Sequence, residues 1–506
     1  MFWADILAKN FKERDSYLVN DAKTPSGKIH VGSLRGVLIH DFVHKALLEL
    51  GKKSHYTYHF DDFDPMDGLP VYLEQEKYSQ YMGKPLKDVP SPEGSGSYAE
   101  YYAKDFLKVF NSLGAKPEII WSSQLYESGK LDEAIKIALD NAEKIQEIYH
   151  RVSGSQKKEG WLPFQPVCEN CGKIGTTHAT NWDGKTVEYS CEEDLVEWAK
   201  GCGHSGKVSP FGGTGKMPYK VEWSAKWFSL KVTVEGAGKD HSSKGGTRDV
   251  ANTIAKEVFK IEPPADIAYE HILFGGKKMS SSKGLGSSAA EVAQLLPPEI
   301  LRFLFARVPY QRAIDFDPTN PNTIPDLFDE FDRGQSAFFK KTNEDLAKTW
   351  EASQIGSIKE EFNVRFSTLI SELKNLKTED SILVEAEKAK SEKLTNEDRE
   401  AIKLRIKYAQ IWLEKFGQAE TEEVVELNSG QKELLKIVAE GLSSEMSEDE
   451  IQTFIYNKGK ELDLKPVEAF QAVYVKLLGK SSGPKAGELI KSFGVKEAKK
   501  KFNDRH

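Results

Sequence analysis

Cysteine is scarce in this chain of 506 residues. It has four, Cys168, Cys171, Cys191 and Cys202, all within one short stretch. That excludes a disulfide scaffold and, with a Cys-x-x-Cys pair present, favours a metal. No run of 18 apolar residues occurs, so no membrane-spanning helix is expected. The opening Met1-Phe2-Trp3-Ala4-Asp5 lacks a basic region followed by an apolar core. No secretory signal is therefore expected, and a cytoplasmic location is. Positive charge is also in deficit: 70 Lys and Arg stand against 78 Asp and Glu, a net −8. That argues against a nonspecific nucleic-acid coat and leaves room for a particular folded RNA on a local basic face; neither DNA nor a membrane is expected as a partner.

What is present is ordinary globular material, 39% apolar and 29% charged, long enough for two to four domains. The charge is uneven. From Lys465 to His506 the balance is about +6, nine Lys and one Arg against three Glu and one Asp. Such a tail reads equally as a solvated surface helix or as a contact to RNA phosphates.

The densest stretch is Asp21-Ala22-Lys23-Thr24-Pro25-Ser26-Gly27-Lys28-Ile29-His30-Val31-Gly32-Ser33. Tyr17-Leu18-Val19 before it reads as a strand. Ser33–Leu50 after it has helical apolar spacing, with Ser33 as cap and Gly51 as stop. Ser54–Phe60 alternates as a second strand, giving a βαβ unit and a parallel sheet. The Gly, Pro and Ser of 66–97 predict a loop or the start of an insertion. Tyr98–Leu113 should be a helix, Ile119–Trp121 a strand and Leu131–Val152 one long helix. Residues 153–215 form a small metal-stapled module. Val221-Glu222-Trp223 through Val232–Glu235 should return to the sheet, followed by Gly236–His241 and a helix over Arg248–Val258. From Asn322 onward the pattern is helical.

The chemistry follows from residue types. Pro25 and Gly27 permit a turn that approaches a ligand closely, and the helix beginning at Ser33 points free N–H groups and a positive dipole end at a phosphate. His30 can donate to a phosphoryl oxygen, and Gly32 leaves room for a base. Far downstream, Gly275-Gly276-Lys277-Lys278-Met279-Ser280-Ser281-Ser282-Lys283-Gly284 makes a cationic, hydroxyl-rich loop suited to a pyrophosphate leaving group. Gly236, Gly238 and Asp240 follow a strand, where a nucleotide can approach and a carboxylate can accept from ribose. Cys168, Cys171, Cys191 and Cys202 fit a closed tetrahedral zinc site, with His204 an alternative fourth ligand and His178 a remote one.

The two signatures resemble the HIGH-type and KMSKS-type motifs of class I aminoacyl-tRNA synthetases. With Trp3-Ala4-Asp5, the cysteine module, Gly238-Lys239-Asp240-His241, Gly245-Gly246-Thr247-Arg248-Asp249 and Gly479–Gly487, they resemble the class I lysyl-tRNA synthetases over nearly the whole chain. Ser33 replaces the second histidine of the first motif and Ser281 the second lysine of the second. Lys278 keeps the first lysine, and Lys277 or Lys283 could supply the other cation. The resemblance implies a Rossmann-like catalytic domain over 1–290, with an insertion at about 66–215. A connecting region at 291–340 and an α-helical anticodon-binding region at 341–506 follow. It implies ATP-dependent activation of L-lysine and transfer to tRNA(Lys), with Mg²⁺ beside ATP and a structural Zn²⁺. His30, Lys278, Ser280, Ser281 and Lys283 would be catalytic. Pro25, Gly27, His30, Gly32, Ser33, Gly236, Gly238, Asp240, Lys278 and Met279 would face ATP. Thr24, Trp223, His241 and Tyr269 would lie near the amino acid. Glutamate-specific relatives carry an arginine seven residues before the glycine of the turn; here that residue is Asn20, followed by Asp21. The absent cation argues against a carboxylate side chain. Asp21, Asp62 and Glu222 are the carboxylates on offer to an ammonium. The alternatives are a synthetase for glutamate or arginine, and a noncatalytic tRNA-binding paralogue.

Overall fold

The computed structural model describes residues 2–278, 288–416, 426–479, 481, 483 and 485–503. The chain divides into two compact units, 1–412 and 413–506.

The first unit is built on a parallel sheet. Ser16–Lys23 lies at its centre, paired with Lys53–Phe60 on one side and Val234–Glu235 on the other; Glu118–Trp121 extends the first side. Ala237–Gly238 continues past Gly236 and pairs in parallel with Ala268–Tyr269. Asn20 and Asp21 are buried beside Val19, so the central strand carries polar groups into the interior. The Ser33–Glu49 helix packs Leu34, Val37, Leu38, Phe42 and Leu47 inward at helical spacing, and the Trp3–Asn10 helix lies against it. Ser33 does not cap this helix. The cap position is Gly32, which makes no side-chain bond, and the N–H groups of Ser33 and Leu34 donate to the carbonyls of His30 and Val31. The turn thus consumes donors that the sequence had left free for a phosphate.

Three other expectations are corrected. Val221–Trp223 belongs to the Tyr219–Leu230 helix, not to a strand. Its aromatic and β-branched residues favour strands locally. The four-residue spacing of Val221 with Ala225 and of Trp223 with Trp227 buries two separate stripes, and tertiary packing decides. The long helix is two, Asp132–Asp140 and Ala142–Ser153, broken at Asn141, whose side chain donates to the Ile137 carbonyl at 2.8 Å. Residues 66–97 are not only loop. A Gln75–Ser79 helix and a 3₁₀ turn at Leu86–Asp88 pack with Tyr98 and Tyr102 into a small core of their own. The cysteines lie on and beside an antiparallel sheet of Thr177–Thr180, Val187–Cys191 and Ser205–Val208.

The second unit is helical. Ser429–Gly441, Glu448–Glu461, Pro466–Leu478, Ala486–Phe493 and Val495–Asn503 surround Leu434, Val438, Ile451, Ile455, Val473, Ile490 and Phe502. Asn428 with Gln431, and Ser447 with Glu450, form reciprocal caps on two of these helices. A Cβ on Gly487 would come within 1.9 Å of the Glu448 carbonyl, so this helix crossing demands glycine. Among the described residues no helix is long and apolar enough to cross a membrane.

Candidate active site

Parallel sheets bind ligands beyond the carboxyl ends of their strands, where the strand order reverses. Here that point lies between Ser16–Lys23 and Val234–Glu235, and a cavity of about 500 Å³ opens there. Asp21, Thr24, His30, Gly32 and Ser33 reach it from the first signature. Trp223, Gly236, Gly238, Asp240, His241 and Tyr269 reach it from the far side. Pro25 and Gly27 do not line it. A Cβ on Gly27 would meet the Tyr72 hydroxyl at 2.6 Å; that hydroxyl accepts the Lys28 N–H, and the Tyr98 hydroxyl donates to the Ser26 carbonyl at 3.0 Å. The turn is therefore pinned by two tyrosines of the insertion. Lys278 lies on a short strand whose backbone pairs with Leu273, next to the cavity residue Ile272. Met279, Ser280, Ser281 and Lys283 fall outside the described residues.

Gly32 lets His30 fold back: a Cβ there would sit 2.7 Å from the imidazole. Gly36, one turn into the helix, does the same for the opposite wall. A Cβ there would lie 2.7 Å from both the Asp21 Oδ2 and the Tyr269 hydroxyl. Burial raises the Asp21 carboxyl to about 7, against the Ala22 N–H and Lys23, which pull it down. Asp240 takes the His271 Nε2 on its Oδ1 at 2.6 Å.

Trp223 is oriented by Glu235, whose two oxygens accept the indole N–H groups of Trp223 at 2.6 Å and Trp227 at 2.7 Å. Arg248 lies over both rings and donates to the Glu235 carbonyl at 2.7 Å. Tyr219 stacks on Trp223, with centroids 5.6 Å apart.

Below the cavity runs a network of buried charges. Lys226 meets Asp61 at 2.5 Å and Glu222 at 3.4 Å; Lys216 meets Glu222 at 2.9 Å and also binds Asp64. Tyr126 donates to Glu222 at 3.0 Å, and Thr24 to Asp64 at 2.6 Å. Two lysines against three carboxylates give the cluster a formal charge of −1; Asp61, Asp64, Glu222 and Lys226 reach the cavity, and Lys23 lines it beside them. Sequence reading missed Lys216, Lys226, Asp61 and Asp64. The one local signal was Glu222 and Lys226 four apart on a helix with apolar neighbours. Asp62 takes no part: it accepts the N–H and hydroxyl of Ser123, capping the Ser122–Glu127 helix.

In the cysteine module, the Sγ atoms of Cys168 and Cys202 are 3.7 Å apart, as are those of Cys171 and Cys191, and all four lie within 4.8 Å of one another. Thr176 and the Cys202 N–H approach the Cys191 sulfur at 3.3 Å, and Asn170 the Cys202 sulfur at 3.4 Å. Four convergent sulfurs with polar hydrogens around them could hold a metal ion. His178 instead faces Glu192 at 3.1 Å, and the His204 ring packs near Tyr189.

Comparison with known proteins agrees with this construction. Residues 1–356 match the family described as tRNA synthetases class I (K). The chain is similar to proteins named lysine–tRNA ligase. One from Thermoplasma acidophilum is 36% identical, covering 98% of this chain and 96% of its own. One from Archaeoglobus fulgidus is 36% identical, covering 98% of each chain. One from Methanocaldococcus jannaschii is 35% identical, again over 98% of each. A fold of this order, a cavity at its switch point and a match over residues 1–356 leave one assignment: the chain belongs to the class I (K) tRNA synthetases.

Proposed function

We propose that this protein is a lysine–tRNA ligase, which joins L-lysine to tRNA(Lys) at the expense of ATP. The observation that carries the choice of amino acid is the wall of the cavity. It offers the Asp21 carboxylate beside Tyr269, and no arginine lines it among the described residues. A cationic side chain finds an acceptor there; the lining cations are lysines, Lys23 and Lys226, and Lys226 is already held by Asp61 and Glu222.

In the first step a lysine carboxylate oxygen attacks the α-phosphorus of ATP, and pyrophosphate leaves. In the second, a hydroxyl of the tRNA 3′-terminal ribose attacks the acyl carbon, and AMP leaves. No covalent enzyme intermediate is needed, so the residues act by positioning and by stabilising charge. His30, with Gly32 and Ser33, faces the phosphates, and Gly236, Gly238 and Asp240 the nucleoside. Lys278 and the residues from Met279 to Lys283 would meet the pyrophosphate. Asp21, Thr24, Trp223, His241 and Tyr269 receive the lysine.

Zinc fits the four sulfurs. Tetrahedral Zn–S bonds of about 2.3 Å imply S–S edges of about 3.8 Å, against the 3.7 Å found across two pairs. With four protein ligands its role is to staple the module. Mg²⁺ brought in with ATP would neutralise phosphate charge. Residues 291–340 connect the catalytic part to the helical region, 341–506, which reads the anticodon stem-loop by shape and stacked bases. The setting is the cytoplasm.

ATP–pyrophosphate exchange across the twenty amino acids tests this reading. Exchange with lysine is expected. Exchange with glutamate or arginine and none with lysine would overturn it.

A further inference from the structure

The hydroxyl of Thr24 has a fixed polarity. It has one proton and two lone pairs, and its proton is committed to the Asp64 Oδ2 at 2.6 Å. Burial raises the Asp64 carboxyl, and the Lys216 ammonium on its other oxygen pulls it back toward the charged form that accepts this proton. Lys216 is only 3% exposed, and its second partner is Glu222 at 2.9 Å. Burial opposes the charge on Lys216, but Asp64, Glu222 and Asp61 outweigh it and raise the ammonium above its ordinary range. Thr24 and Asp64 both line the cavity.

The geometry points to Asp64 as a positioning residue for the amino-acid substrate: held by Lys216, it turns the Thr24 hydroxyl into an obligate acceptor for a substrate ammonium. This deepens the lysine reading and rests on it. A hydroxyl so held accepts from N–H donors and presents only lone pairs to a carboxylate or carbonyl. Thr24 touches the substrate, and Asp64 acts through Thr24.

The test is a double-mutant cycle on the full-length protein, read as KM for lysine and KM for ATP in pyrophosphate exchange. Thr24→Val removes the hydroxyl and keeps the shape. Asp64→Asn keeps the shape and supplies an N–H₂ that reverses the bond. Each should raise KM for lysine by about 10–100-fold, the range for one hydrogen bond to a charged group, with KM for ATP within about twofold. The double variant should be no worse than Thr24→Val alone. On a Thr24→Ser background, which restores a hydroxyl, the cost of Asp64→Asn should reappear. If Asp64→Asn does not fold, Lys216→Gln, which frees Asp64, enters the same cycle. Additive costs, an equal rise in KM for ATP, or no rise in KM for lysine would each overturn the proposal. A wild-type protein that gives no exchange with lysine would instead overturn the reading beneath it.

Discussion

The Nε2 of His40 accepts the backbone N–H of Gly236 at 2.8 Å, which obliges the ring to carry its proton on Nδ1, donated to the Gly36 carbonyl at 2.7 Å. One buried imidazole thus ties the helix behind Asp21 to the strand that leads to Gly238 and Asp240. A second ring proton would set N–H against N–H. Burial lowers this histidine to about 4. Between its ordinary value of 6.5 and about 4, the unfolded chain binds a proton that the folded one refuses. Stability is therefore lost as pH falls through that window. Wild type and His40→Gln, which keeps an acceptor for Gly236, should diverge there in denaturant melts. The wild type should show the steeper decline with acid.

Asp21 runs the other way. Its carboxyl is raised to about 7, so it gains the charge that a lysine ammonium needs as pH rises through neutrality. KM for lysine should fall with increasing pH, and Asp21→Asn should flatten the profile at its weak-binding end, with KM for ATP little changed. A wild-type profile without slope would remove Asp21 from the ammonium site. The same shift carries a stability consequence of opposite sign: the folded state holds this proton longer, so that contribution is lost as pH rises toward 7.

Gly36→Ala places a methyl 2.7 Å from both the Asp21 carboxylate and the Tyr269 hydroxyl. Overpacking of this kind costs about 1–3 kcal/mol, or roughly 5–160-fold in an equilibrium constant. The loss should fall on kcat/KM for lysine. A thermal melt distinguishes a displaced wall from a destabilised fold.

Purified protein should contain one zinc per chain, and Cys171→Ser should lose most of it, because three sulfurs leave a structural site open. Metal analysis by mass spectrometry measures the content. Limited proteolysis should then cut first beside the sulfurs, where the local apolar cluster is Cys168, Tyr189 and Cys191 with Cys171 and Val208 against it.

Lys278→Ala should lower the single-turnover rate of adenylate formation by about 100-fold or more, the scale for removing one charge that stabilises a transition state. Affinity for tRNA should stay near wild type. Equal loss of both would assign Lys278 to folding or to RNA contact.

The parts legible in the sequence were those whose chemistry is local. A turn from Thr24 to Gly32 and a Cys-x-x-Cys pair each carry their meaning within a few residues, and the βαβ unit around the turn follows from alternation and helical spacing. The parts that stayed hidden depend on partners far along the chain. Asp61 is an acidic loop residue until Lys226 closes on it, and His40 is one more histidine on a helix until Gly236 reaches it. The Tyr219–Leu230 helix was misread as strand because aromatic residues state their preference locally while burial decides globally. Asp62 and Glu222 show both outcomes for a carboxylate near a site: one caps a helix, and the other anchors two lysines.

The indole N–H of Trp3 donates to the carbonyl of Ala306 at 2.9 Å, and its ring lies against Phe42 and Tyr310. On the ribosome this bond has an order imposed on it. At about 5–20 residues per second, the acceptor follows the donor by roughly 15–60 s. Through that interval the first helix has Phe42 to lean on but no partner for its N–H. A bond whose acceptor is made so long after its donor closes late, whatever the helix has packed against before then.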